Sequence, residues 1–298
     1  MRILIARLFA PCFLFGFIAL ALGLAQAYPQ QPGWLLVLLA LAIGLSFLAE
    51  AWLPYRPDWN HDHDDRWRDA LHALVNEGLS ALGLLAVPLL AALLPDTGLW
   101  PHAWPLWLQL LVSVVVADLG LTLMHLLSHR LPWLWRLHAI HHSVRRMYGF
   151  NGLMKHPLHL AVETIAAITP LLILGIPTQV AALLAFAIAI QLLLQHSNVD
   201  MRIGPLRHLF AWAPVHRFHH MKYGTAGDVN FALFFSFWDR LLGTAFYNPN
   251  YRIGGDDLGI GSQPDYPSAY LAQLVAPFQA EEPGQPSPSA PDALLKQP

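Results

Sequence analysis

Long apolar stretches separated by short polar connections dominate the pattern of the chain. A helix that crosses a bilayer needs about 20 mostly apolar residues. By this measure the pattern predicts six membrane-spanning helices, at residues 3–25, 34–53, 71–94, 106–127, 158–174 and 178–195. The last two are short and are joined by Gly175-Ile-Pro177. They are therefore open to a second interpretation, as a thin hairpin that does not fully cross.

The first apolar segment also has two interpretations. Arg2 and Arg7 lie at its start and Ala25-Gln-Ala27 at its end, as in a secretory signal with its cleavage site. The apolar stretch is long for a signal, so we favour an uncleaved span.

Lys and Arg alternate strictly between the connections, which predicts the orientation. The connections at 26–33, 95–105 and 175–178 contain no Lys or Arg, whereas the alternate connections contain nearly all of them. The positive-inside rule assigns the basic connections and both termini to the cytoplasm. We expect a multi-pass protein of a bacterial inner membrane with its active site facing the cytoplasm.

Composition supports a membrane protein and narrows its chemistry. Only 12% of residues are charged, about half of what soluble domains carry. The net charge of −2 offers no basic surface for nucleic acid. A single cysteine, Cys12, excludes an internal disulfide and a cysteine-based metal site within one chain. From about residue 281 the chain is rich in Pro, Ser, Gly and Gln, and we expect disorder there.

Histidine is the unusual residue, with 16 copies concentrated in a few clusters. Positions i and i+4, or i and i+3, share one face of a helix, where two imidazoles can bind one metal ion. Three clusters have this spacing, and a further histidine ends the sixth apolar segment. These candidate metal ligands are His125, His129, His138, His141, His142, His216, His219, His220 and His196.

Nine histidines are too many for one ion and suitable for two. Imidazole binds Fe, Zn, Cu and Ni, and zinc has no redox cycle, so two iron ions are the expected cofactor. Two redox-active ions can activate O2 for attack on an unactivated C–H bond. Asp118 lies seven residues before His125 inside an apolar span, where a carboxylate can orient a ligating imidazole. Asn198 is a second candidate catalytic residue, and Asp228 and Asn230 are open between partners of the site and plain turn residues.

The three clusters, in this order, resemble the histidine boxes of the fatty acid hydroxylase and sterol desaturase superfamily. The surroundings are similar too, and the resemblance covers about residues 67–247. It rests on Arg136-Leu-His-Ala-Ile-His-His-Ser143, His156-Pro157, Gln195-His-Ser-Asn198 and Trp238-Asp-Arg-Leu-Leu-Gly-Thr244. One position departs, because His159 stands where the family often has Glu. The roles of His72, His156 and His159 are left open.

The resemblance implies an all-α integral membrane fold of about four to six spans, with a cytoplasmic helical cap that holds the dimetal site. It implies three regions: N-terminal spans at 1–66, a catalytic domain at 67–247, and a partly disordered tail at 248–298. It also implies a non-haem di-iron centre that hydroxylates or desaturates a lipid with O2. The partners would be membrane lipids and a separate electron donor, a reductase with a ferredoxin or a cytochrome.

Two other functions use the same histidines. A metal transporter or sensor would place its ligands near the middle of the spans, whereas these histidines lie at the ends of spans and beyond. A metal-dependent membrane hydrolase usually pairs its metal ligands with a carboxylate base, as in H-E-x-x-H, and the sequence contains no such motif.

Overall fold

The computed structural model describes residues 1–93, 97–280 and 284–295. Within these residues the chain is helical, with three isolated β-bridges, so the predicted all-α class is confirmed. Its α-helices are α1 (Arg2–Ala27), α2 (Trp34–Trp52), α3 (Arg66–Ala92), α4 (Leu106–Arg130), α5 (Pro132–His142), α6 (Pro157–Leu174), α7 (Thr178–Gln195), α8 (Ala213–His216), α9 (Phe237–Leu242), α10 (Tyr270–Val275) and α11 (Asp292–Leu295).

Six of these helices, α1 to α4, α6 and α7, are long and apolar enough to cross a membrane. They coincide with the six predicted spans. The third begins at Arg66, five residues before its predicted start at 71, and its predicted end at 94 lies outside the described residues. The helices α6 and α7 are separate 18-residue helices. Gly175, at φ 85°, ends α6 in a left-handed conformation that glycine adopts without strain.

The helix α7 is the central element of the bundle. About 78% of its apolar window is buried, and it contacts α1, α2, α3 and α4. By contrast, α2 and α3 expose large leucines, with Leu36 70% and Leu85 77% exposed, as expected of side chains that face lipid. The bundle therefore presents the C-terminal end of α7, and His196 beyond it, at its centre.

A second apolar core lies at the end of the bundle and forms the cap. Its buried members include Trp59, Ile140, Met147, Phe218 and Ile253. The cap is attached to the spans by buried polar contacts. The guanidinium of Arg146 donates to the carboxylate of Asp65 at 2.6–3.0 Å. The carboxylate of Glu50 accepts from the backbone N–H groups of Gly149 and Asn198 at 2.9 and 3.0 Å.

Part of the C-terminal segment expected to be disordered is packed against the cap. The side chain of Leu294 is 1% exposed and belongs to the cap core. Asn248 donates to the carbonyl of Leu294 at 3.0 Å, and the Gln285 N–H donates to Ser262 at 2.9 Å. One leucine of the polar tail thus inserts into an existing core, and the expectation of disorder from about residue 281 stays a prediction. Residues 281–283 and 296–298 lie outside the described part, and the three domain boundaries stay predictions.

Candidate metal centre

Four elements bring the predicted histidines to the end of the bundle. The last turns of α4 carry His125 and His129, whose ring centroids are 5.5 Å apart. A sharp reversal at Leu131-Pro132 starts α5, which carries the second box. Proline suits this first helical position, because its missing N–H would have no helical partner there. The third box spans the short α8 and the 3-10 turn Arg217–His220. His196 directly follows α7.

All nine predicted histidines lie in two groups. Within each group the candidate ligand atoms lie within 4.8 Å of one another. The first group contains His125, His129, His138, His142 and His219. The second group contains His141, His196, His216 and His220. The groups adjoin, because the rings of His142 and His220 stack with centroids 4.9 Å apart.

The histidines face one another through their Nε2 atoms. In the first group, the Nε2 atoms of His125 and His142 each lie 3.1 Å from Nε2 of His138. In the second group, Nε2 of His216 lies 3.2 Å from Nε2 of His196. Nitrogen ligands about 2.1 Å from one ion and at right angles to each other would lie about 3 Å apart. The observed separations match that spacing.

The Nδ1 atoms of several of these rings have acceptors of their own. Nδ1 of His125 donates to the carbonyl of Phe231 at 2.8 Å, and Nδ1 of His219 donates to the carbonyl of Val229 at 2.8 Å. Nδ1 of His129 donates to the carboxylate of Asp228 at 2.9 Å. A neutral imidazole has one N–H, so donation from Nδ1 leaves a lone pair on Nε2. The contact of Asp228 with a box histidine confirms one of the two sequence interpretations of that residue.

Metal ions fit this arrangement better than hydrogen bonds do. The Nε2 atom of His219 is buried without a hydrogen-bond partner within the described residues. Two nitrogen lone pairs that face each other at 3.1 Å repel, whereas a cation between them would use both. A histidine that binds a metal through one ring nitrogen typically donates a hydrogen bond from the other, as several Nδ1 atoms do here. The donor set therefore fits two metal ions, with one in each group.

The electrostatics also favour metal ligation. Burial, followed by the influence of neighbouring imidazoles, holds the pKa of His138, His141 and His216 well below the ordinary value. Burial lowers the pKa of His196 to about 3. These rings are therefore neutral at physiological pH, which is the form that binds a metal.

Asp118 and Asn198 have partners other than the histidines. The carboxylate of Asp118 accepts from the backbone N–H groups of Leu233, Phe234 and Phe235 at 2.8–3.1 Å. Asp118 makes no hydrogen bond to an imidazole among the described residues, and its role as a carboxylate that orients a ligating imidazole stays a prediction. A carboxylate in an apolar span binds the nearest unpaired donors, and here these are amides of an irregular segment.

Asn198 supports the connection between α2 and α3. Its side chain accepts from the Arg56 N–H at 3.0 Å and donates to the Arg56 carbonyl at 2.9 Å. Asn230 supports a loop in the same way and donates to the carbonyls of Val215 and Phe246. Both amides are structural contacts beside the histidine groups.

The chain is similar to known proteins over most of its length. Residues 110–244 match the family model described as fatty acid hydroxylase. The ornithine lipid hydroxylase OlsE of Rhizobium tropici is 34% identical over 254 residues, which cover 82% of this chain and 76% of that protein. The chain belongs to the fatty acid hydroxylase family. It is a multi-pass membrane oxidoreductase of the monooxygenase type that hydroxylates lipid C–H bonds.

Two further relatives are less similar to this chain. The alkylglycerol monooxygenase of Danio rerio is 28% identical over 49% of this chain and 31% of that protein. The sphinganine C4-monooxygenase 2 of Arabidopsis thaliana is 29% identical over 49% of this chain and 58% of that protein. No solved structure matches the chain.

Two spaces reach the histidine groups from different sides. A cavity of about 30 Å³ is lined by histidines of both groups, including His125, His141 and His196. An open groove of about 420 Å³ reaches only the first group, at His129, His142 and His219. The small cavity is thus the one space of the two that both groups share.

The sequence interpretation missed a buried ion pair in the wall of that cavity. Nζ of Lys155 lies 2.5 Å from Oε2 of Glu163, and both residues line the cavity. Glu163 carried a usable signal, because an isolated carboxylate inside a membrane span is by default a candidate functional residue. Lys155 lies in a connection rich in Lys and Arg, where a single lysine carries no separate signal.

The three histidines whose roles the sequence left open, His72, His156 and His159, have distinct surroundings. Nε2 of His159, at the position that departs from the family, donates to Oγ of Ser128 at 2.8 Å, and its ring packs 4.6 Å from that of His138. His72 hydrogen-bonds Gln273 at 2.9 Å. His156 caps α6, where Nδ1 accepts from the Leu158 N–H at 3.0 Å. None of the three hydrogen-bonds a box histidine within the described residues.

Proposed function

We propose that the nine histidines hold two iron ions and that the protein uses O2 and two external electrons to hydroxylate a membrane lipid. The observation that carries this proposal is the convergence of the Nε2 atoms into two adjoining groups. The bound irons would supply the activation of O2 and the attack on a C–H bond. Zinc would fit the same nitrogen donors but supplies no redox cycle.

The protein's own residues hold and shield this chemistry. Two carbonyls and one carboxylate fix the rings of His125, His219 and His129 through Nδ1, which leaves Nε2 of these three rings for the metal. Two buried carboxylates hold the segment that supplies one of these carbonyls. Asp239 accepts from the Phe231 and Ala232 N–H groups at 2.6 and 3.1 Å, and Asp118 accepts from the next three. Seven of the nine histidines are buried, which limits contact between the groups and bulk water to the side of the open groove.

We propose that the site faces the cytoplasm. The ends of the spans that carry the histidine groups adjoin the connections rich in Lys and Arg, and the positive-inside rule supports a cytoplasmic position for these. Electrons then come from a soluble or membrane-bound donor, a reductase with a ferredoxin or a cytochrome. The open groove that reaches His129, His142 and His219 is exposed on the cap and gives such a donor access to the first group.

Lipid substrates are supported by the relatives and by the setting. The printed names of three relatives refer to an ornithine lipid, an alkylglycerol and sphinganine, all of which are amphiphiles with a polar end. A substrate of this class can enter from the bilayer along the spans and bring its C–H bond to the cavity shared by both groups.

The test is a comparison of lipids in cells that lack the gene and carry either the natural chain or a variant. The natural chain should produce a lipid heavier by one oxygen, and His141→Ala should abolish this species. His102→Ala is the matched control, because His102 is exposed at the opposite end of the bundle and should leave the product unchanged. Product formation with His141→Ala would contradict the proposal, as would an unchanged product in the absence of O2.

A further inference from the structure

The buried pair of Lys155 and Glu163 makes no hydrogen bond to a box histidine among the described residues, although the ligand atoms of Glu163, His138 and His159 lie within 4.8 Å of one another. The side chains are 14% and 6% exposed, in a chain that buries few charges. Removing two opposite charges from water costs more than their attraction usually returns. A lysine is also a poor neighbour for groups that would bind metal cations. The pair therefore needs an explanation beyond packing.

Both charged groups can form further hydrogen bonds. The ammonium of Lys155 has three donors, and Glu163 is its one hydrogen-bond partner among residues 1–93, 97–280 and 284–295. On the carboxylate, Oε1 of Glu163 lies 3.7 Å from Nδ1 of His159, which is too long for a hydrogen bond. Among the described residues, ammonium donors without a partner and a carboxylate oxygen without a hydrogen bond thus line one cavity together.

The size of that cavity limits what can enter beside the intact pair. About 30 Å³ holds O2 or one to two water molecules, and a lipid group needs more space. Opening the cavity at the wall formed by Lys155 and Glu163 would break the ion pair and give a substrate access to His125, His141 and His196. Breaking the pair is least costly when the substrate supplies each charge with a new partner, because an unpaired buried charge is strongly unfavourable.

We propose that Lys155 and Glu163 recognise the head of a zwitterionic lipid, with Glu163 binding its ammonium group and Lys155 binding its carboxylate. A purely anionic head would leave Glu163 unpaired, and a purely cationic head would leave Lys155 unpaired. An uncharged acyl chain would pair with neither Lys155 nor Glu163. The pair thus selects by leaving a charge unpaired when the wrong substrate binds.

The same geometry determines where oxygen enters. The charged wall and both histidine groups line one small cavity, so the C–H bonds next to the charged groups of the substrate are those that reach the histidines. The reaction is C–H + O2 + 2 e⁻ + 2 H⁺ → C–OH + H2O, with the electrons from a reduced ferredoxin or cytochrome. This inference rests on the proposed function and narrows its substrate to lipids that are oxidised in the head.

Binding to the iron-loaded, full-length protein in phosphatidylcholine nanodiscs, without an electron donor, tests the proposal. The probes are N-palmitoyl ornithine, which has one free amine and one free carboxylate, its methyl ester and its N-acetyl derivative. We expect the zwitterion to bind at least tenfold more tightly than either capped form. Equal affinity for all three would overturn the proposal, and this comparison requires no variant to fold.

Variants assign each charge to its partner. Lys155→Met should lose the preference for carboxylate over ester, and Glu163→Gln should lose the preference for amine over acetamide. Control variants Asp62→Asn and Arg66→Met remove an exposed ion pair at 3.2 Å and should keep both preferences. Loss of affinity that is equal for all three probes would mean a merely structural role and would also overturn the assignment.

Failure here is distinguishable from failure of the proposed function. A protein that contains two irons and makes a hydroxylated lipid, yet binds the three probes equally, refutes only the recognition by charge. A protein without iron or O2-dependent product refutes the proposed function, whatever the probes show. Fragmentation of the product of N-palmitoyl ornithine adds a further criterion, because the additional oxygen should be on the ornithine fragment rather than the acyl fragment.

Discussion

Nδ1 of His129 donates to the carboxylate of Asp228 at 2.9 Å, which makes Asp228 the one carboxylate that holds a box histidine through a hydrogen bond in the described part of the chain. A carboxylate behind an imidazole fixes the ring and makes its other nitrogen a stronger donor. This contact links the open groove to the first histidine group, since both residues line that groove.

Asp228→Asn should weaken metal binding at the first group by about 10- to 100-fold, because the amide keeps the shape but removes the charge. Competition with a chelator measures this, and the second group should keep its affinity. Asp256→Asn, at an exposed carboxylate, is the control. If both groups weaken equally, the effect is on the fold rather than on His129.

Gly152→Ala should abolish metal binding at the second histidine group. A Cβ at residue 152 would lie 2.9 Å from Nδ1 of His196 and 3.1 Å from the Leu192 carbonyl. The backbone of α7 is fixed, so the imidazole must move. Elemental analysis should find one metal ion per chain instead of two. The control Gly78→Ala places its Cβ in open space and should retain two metal ions per chain. Two metal ions per chain in Gly152→Ala would contradict the assignment of His196 as a ligand.

Asp118→Asn should lower the thermal midpoint but leave the metal content unchanged. The amide can accept from fewer of the three backbone N–H groups that Asp118 now satisfies. A buried donor left unpaired costs about 1–3 kcal/mol. A loss of metal with an unchanged thermal midpoint would contradict this expectation. It would favour the role predicted from sequence, in which Asp118 orients a ligating imidazole.

The metal-free protein should become less stable as the pH falls from 7 to 5. Burial, and then neighbouring charges, lower the pKa of His142, His219 and His220 in the folded state. Below about pH 6.5 the unfolded chain therefore binds protons that the folded chain does not. Each such histidine adds about 1.4 kcal/mol of destabilisation per pH unit. Thermal midpoints in detergent measure this, and a midpoint that rises towards pH 5 would contradict the buried, neutral state.

The sequence predicted the spans and the nine histidines because both leave local signals. Apolar length determines a span, and the i, i+3 and i+4 spacing determines a shared face. The division into two groups was not predictable. The neighbours His141 and His142 belong to different groups, because consecutive residues of a helix point about 100° apart. The third box is divided as well, with His219 in the first group and His220 in the second.

The pair of Lys155 and Glu163 was not predictable for a different reason. The two residues are eight apart, and the start of α6 lies between them, with no motif that joins them. Their contact depends on how the segment before α6 folds back, and Asn76 of α3 fixes this segment by donating to the Leu153 and Lys155 carbonyls. Partners distant in sequence decide such contacts. The packing of Leu294 into the cap is a second example.

Metal analysis of the purified protein, together with turnover in the presence and absence of O2, tests the central claim most directly. We predict two iron ions per chain and a hydroxylated lipid that forms only when O2 and an electron donor are supplied. Zinc as the sole bound metal, with turnover that does not depend on O2, would contradict the account and favour a metal-dependent hydrolase.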